Sequence, residues 1–214
     1  MALFPERGNS LYNFTIPMAL MDFVPVIFFG VTAVILLGDL SNKMTKPAYA
    51  LFAAGSVNVF LAGFCKALWK LLYAANICDF VALEEMFMPV NSIGLLFVGV
   101  SLILMVCQKK KSVMLSAAPV ALTSSMPFIM MMVVGLGGMC ASLSILSVKM
   151  KKGKTMILFI LSFVCAMAMG YMSSRDSTLA WVNWAEQSIN TVSQLCLMLG
   201  TIALHKADLK NWTW

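Results

Sequence analysis

Two lysines, Lys66 and Lys70, stand inside an apolar run, GSVNVFLAGFCKALWKLLYAA from Gly55 to Ala75, that is long enough to cross a bilayer. An ammonium in hydrocarbon is costly, so such a group turns toward the protein interior or a watery cavity, or snorkels to an interface. Four residues apart, the two share one helical face. That face is the first pointer to a polar path through a membrane. Lys70 lies nearer the end of the run, beside Trp69 and Tyr73, and is predicted to snorkel. Lys66 lies deeper and is predicted to take an interior counter-charge. Glu186 in the last apolar run is the preferred partner, with Glu84 and Glu85 as alternatives. A buried Lys–Glu pair would be a strained element that a substrate anion or a proton could break.

The last apolar run, WVNWAEQSINTVSQLCLMLG, carries the second polar feature. Asn183, Gln187, Asn190 and Gln194 fall along one helical stripe, and Glu186 borders it. Such a stripe faces a bundle interior, either to bond neighbouring helices or to form a hydrogen-bonding wall for a polar solute. Asn58 in the second span, and Asn91 with Ser92 in the third, add polarity to the half that carries Lys66 and Lys70. Trp181 and Trp184 belong to an interfacial aromatic belt. The predicted substrate-binding set is therefore Lys66, Glu186, Asn190, Gln194, Asn58, Asn91, Gln187, Lys70 and Asn183.

Signals for other chemistry are thin. His205 is the single histidine and sits beside Lys206 at a helix end, so a histidine-ligated metal site is not expected. There is no HExxH and no nucleophile elbow. The six cysteines, Cys65, Cys78, Cys107, Cys140, Cys165 and Cys196, show no CxxC spacing and read as small packing residues. The nineteen methionines, Met131 and Met132 among them, read as flexible packing or lipid-facing groups. No enzyme activity, cofactor, metal or nucleic-acid partner is expected. The expected partners are membrane lipids and a small solute, with homo-oligomerisation left open.

These residues need elements to hold them. Of 214 residues, 61% are hydrophobic and 11% charged, with a mean hydropathy of +0.89. A soluble domain carries roughly 25% charge, and the apolar runs are too continuous for a β-barrel. An all-α, multi-pass membrane bundle is predicted, as a single transmembrane domain over 1–214. The start, MALFPERGNS, lacks a basic segment leading at once into an apolar core and is not read as a cleavable signal peptide. Spans are expected over Pro17–Gly38, Pro47–Ala74, Phe87–Cys107, Thr155–Tyr171 and Ala180–Leu204. Between Lys111 and Lys149 stand 37 further residues, about 55 Å as one helix against a core of about 30 Å. They supply either one span or two, with a turn near Thr123–Pro127.

Loop charge separates the alternatives. With six spans, Lys43, Lys46, Lys109, Lys110, Lys111 and Arg175 oppose Arg7, Lys149, Lys151, Lys152, Lys154, Lys206 and Lys210, a near-even split. With seven, eleven lysines share one side and only Arg7 and Arg175 lie on the other. The positive-inside rule favours seven, with the N-terminus outside and the C-terminus cytoplasmic. The fourth span, 112–125, would be a short linker. A six-span, dual-topology protein is the alternative.

Leu40–Lys46, LSNKMTK, matches Leu146–Lys152, LSVKMKK, at five of seven positions. Pro25 and Pro127, both candidate kinks, stand upstream of the two segments, and chance convergence of two helix–loop junctions is the competing reading. As a repeat, they relate a first half, 17–107, to a second, 126–204, as parallel three-helix units around the linker. This three-one-three plan resembles that of the SWEET sugar transporters and other PQ-loop proteins. The family's Pro-Gln signature is absent, since Val26 follows Pro25 and Phe128 follows Pro127. The resemblance implies a plan and a site between the halves near mid-membrane, not a sugar substrate. The expected function is a small transporter or permeation protein for a polar solute, an anion included, by alternating access between the halves. The alternatives are a seven-helix receptor for a small or lipid-like ligand and an accessory membrane subunit.

Overall fold

The computed structural model describes residues 15–107, 126–172 and 180–212, and among them every regular element is helical. The helices are α1 (Ile16–Met21), α2 (Phe23–Leu40), α3 (Lys46–Ala74), α4 (Val81–Glu85), α5 (Phe87–Val106), α6 (Met126–Lys149), α7 (Gly153–Met172) and α8 (Ala180–Lys206). The five apolar spans expected from hydropathy begin and end within two residues of these helices. Among the described residues, five segments are long and apolar enough to cross a membrane: Ile16–Leu40, Lys46–Ala74, Val81–Val106, Met126–Lys149 and Gly153–Met172. α8, with 27 residues, has the length (about 40 Å) but carries the polar stripe. The protein is a multi-pass helical membrane protein. The short linker helix predicted over 112–125, and with it the seventh span, lies outside the described residues, as do Arg7 and Arg175.

The long helices form a ring in chain order, α2–α3–α5–α6–α7–α8, closed by α8 against α2. Small residues set the tightest seams. A Cβ on Gly135 would fall 2.3 Å from the Leu95 carbonyl carbon, and one on Gly99 2.2 Å from the Gly135 oxygen, so α5 and α6 touch backbone to backbone. Gly138, one turn further, faces Gly99 and Ile103. Residue numbers rise together across this seam, so α5 and α6 run parallel. Cys107, just past the end of α5, and Met126, at the start of α6, thus lie at opposite ends of the bundle. α2 and α8 also run parallel: Asp22 and Glu186 flank one cavity, while Asp39 and His205 meet at the other end. The remaining seams are antiparallel, as with Gly63 on Val26, Gly94 on Val59 and Gly200 on Phe159.

The first span is broken at Asp22, between α1 and α2. Pro25 has no N–H to give the Met21 carbonyl, and its ring crowds that oxygen, so the helix bends there. The two sequence-matched turns bury the same leucine and methionine, while of the paired serines Ser147 is buried and Ser41 exposed. Leu40 and Leu146 are both fully buried, and each carbonyl accepts the N–H of the methionine four residues on, Met44 and Met150.

Candidate functional site

At the end of the bundle where α2 and α8 begin, the helices enclose a half-open cavity of about 420 Å³. That is within the range of small-molecule sites, about 300–1,000 Å³. Its walls come from the Asp22 bend and from α2, α3, α5, α6, α7 and α8. Glu186, Asn190 and Gln194 descend one face of α8 at intervals of four, so helical geometry alone makes them a ladder. Lys66 on α3 and Asn91 on α5 join the polar lining. Phe29, Leu95, Leu136, Ala166 and Leu197 form an apolar floor that merges with the core. Beneath it Phe52, Leu102, Met105, Met139, Leu143, Leu146 and Phe159 are at most 1% exposed.

The charges do not pair as the sequence suggests. Lys70 does not snorkel: its Nζ lies 2.7 Å from Asp22 Oδ2, and both side chains are 6% exposed. The antiparallel packing of α2 on α3 brings Asp22, where the helix is interrupted ahead of Pro25, to the depth of Lys70. Lys66 forms no ion pair with Glu186. Its ammonium rests on the face of Phe87, 4.2 Å from the ring centre, a cation–π contact of about 0.5–2 kcal/mol. Lys70, Glu186, Asp22 and Glu84 all lie within its electrostatic reach. Two acceptors of the lining, Asp22 Oδ1 and Gln194 Oε1, are buried without a hydrogen-bond partner.

Six of the nine predicted residues line the cavity: Lys66, Asn91, Glu186, Gln187, Asn190 and Gln194. Three do not. Lys70 lies behind Asp22, Asn183 is buried above Gln187, and Asn58 packs at the α3–α5 seam beside Gly94. Asp22 is the residue sequence reasoning missed. Its signal was a lone carboxylate three residues before a proline inside an apolar run.

The opposite end of the α2–α8 seam is tied. His205 Nδ1 lies 2.8 Å from Asp39 Oδ2, and the Lys43 ammonium donates to the Trp212 carbonyl and lies 6.0 Å from the Trp212 ring centre. Burial pushes the Lys43 ammonium below its usual range, while Asp39 and Asp208 act in the other direction. Among the described residues no group of three or more His, Cys, Asp or Glu could hold a metal ion. Comparison with protein-family models, with curated proteins and with solved structures finds no match. The functional reading therefore rests on the cavity.

Proposed function

We propose that the chain is a small membrane transporter or permeation protein for a polar solute, with the cavity as its binding site. The observation that carries this reading is the cavity itself. Charged and amide groups line a space among membrane-spanning helices, and a packed apolar floor ends it part-way through the bundle. Polar groups at that depth are expensive unless they serve a ligand, water or one another. Access from one end with closure at the other is what one conformer of an alternating-access carrier requires.

The parallel α5–α6 and α2–α8 seams support the reading of seven spans and two parallel halves. In this topology Lys43, Lys46, Lys149, Lys151, Lys152, Lys154, Lys206 and Lys210 share one side, the cytoplasmic side by the positive-inside rule. The cavity then faces outward. Rocking of the halves would part the Asp39–His205 and Lys43–Trp212 ties as the floor opens.

A receptor for a small, partly apolar ligand is the second reading, favoured by Met88, Met132, Met167 and Met169 in the lining. Proteoliposomes separate the two. Solute-dependent counterflow supports the carrier; saturable binding without flux supports the receptor.

A further inference from the structure

Resting on the carrier reading, we infer that the solute is a small zwitterion: an ammonium and an anionic group on an apolar body. Three features of the cavity specify this chemistry. First, charges of both signs surround its mouth: Asp22, Lys66 and Glu186 line it, Lys70 pairs with Asp22 behind it, and Glu84 lies within reach of Lys66. A ligand with net charge would add an uncompensated charge in a low-dielectric setting, and a zwitterion adds none.

Second, the unsatisfied polar atoms of the lining ask for opposite things. Asp22 Oδ1 and Gln194 Oε1 are buried acceptors without donors. A ligand ammonium brings three N–H donors, and against Asp22 the bond is charge-assisted. Lys66 sits in the same cavity with its ammonium on Phe87, and among the described residues it makes no ion pair. A ligand carboxylate or phosphate can take that cation. Third, Phe29, Phe60, Met88, Met132 and Met167 supply apolar wall for the remainder of the molecule. A plain anion would satisfy Lys66 but leave Asp22 Oδ1 and Gln194 Oε1 without donors. A plain amine would do the reverse.

The same chemistry occurs in a free amino acid with an apolar side chain and in the headgroup of phosphatidylethanolamine. The test uses the full chain in phosphatidylcholine vesicles, with L-leucine, its deamino analogue 4-methylpentanoate and its decarboxy analogue 3-methylbutylamine as probes. Uptake and equilibrium binding are both measured. The expected result is that leucine is bound and carried, and that either truncation weakens binding by about tenfold or more, as loss of a charge-assisted bond requires. Lys66→Gln should erase the preference for leucine over the amine, and Asp22→Asn the preference over the acid. If Asp22→Asn does not fold, the two ligand truncations still decide. Competition by phosphatidylethanolamine mixed into the bilayer, with no leucine binding, would assign the zwitterion to a lipid headgroup. If 4-methylpentanoate or the amine matches leucine, the zwitterion inference is wrong while the carrier reading stands. If leucine binds without crossing, the carrier reading fails and the zwitterion site remains. If neither leucine nor phosphatidylethanolamine is bound, the inference is overturned.

Discussion

The two ends of the α2–α8 seam differ: one opens on a cavity and the other is tied by side-chain contacts. At one end Asp22 and Glu186 stand on the walls of a cavity, with Asn190 and Gln194 below them. At the other, Asp39 meets His205, Lys43 meets Trp212, and the space between the helices is filled by Leu36, Leu40 and Leu204. The same two parallel helices therefore flank a polar cavity at one end and a tied, packed seam at the other.

The difference can be broken from either end. The largest effect is expected from Asp22→Ala, which leaves the Lys70 ammonium buried without its carboxylate. Removing one partner of a buried pair costs about 3–5 kcal/mol, so the detergent-solubilised protein should melt many degrees lower. Asp22→Asn with Lys70→Gln should recover much of the loss. An unchanged melting temperature in the single variant would mean the pair does not hold the bend. Gly135→Ala comes next. Its methyl would overlap the Leu95 backbone, which cannot yield as a side chain can, so about 1–3 kcal/mol is lost. Thermal unfolding reads it, and a neutral result would show that α5 and α6 do not touch there.

Asn190→Ala should leave the melting temperature near that of the parent yet lower solute uptake by about tenfold, the scale of one hydrogen bond made to a bound ligand. Uptake at the parental rate would make the α8 ladder a packing feature instead. The smallest effect is expected at the tied end. The His205 side chain is 55% exposed, so His205→Ala should cost no more than about 1 kcal/mol. Its signature is conformational: a cysteine placed at Thr45 should become more reactive if the tie holds this end shut.

Much of this was legible in the sequence. Apolar runs gave the helix ends, and i, i+4 spacing placed Glu186, Asn190 and Gln194 on one wall because both are local properties of a helix. Partnerships were not legible. Lys66 and Lys70 look alike as neighbours on one face, but which of them meets a carboxylate depends on the Pro25 bend and on the register of α3 against α2. Asp22 passes unnoticed in the sequence because its importance lies wholly in that distant contact. Likewise Asn58 and Asn183 have the right residue type, but Asn58 packs at the seam beside Gly94 and Asn183 is buried outside the cavity lining. The charge count for seven spans drew on loop lysines and arginines, and the parallel halves on the LSNKMTK and LSVKMKK match. The parallel α5–α6 seam rests on glycine contacts, which neither signal contains.

The most direct test of the account places a single cysteine at Asn190 in a cysteine-free chain, with Thr45 and Lys154 cysteines as references, in intact cells. The account predicts that the Asn190 cysteine reacts with an impermeant thiol reagent from outside and is protected by the transported solute, while Thr45 and Lys154 react only after permeabilisation. An Asn190 cysteine that is inert from outside, or that reacts only from the side that labels Thr45 and Lys154, would contradict it.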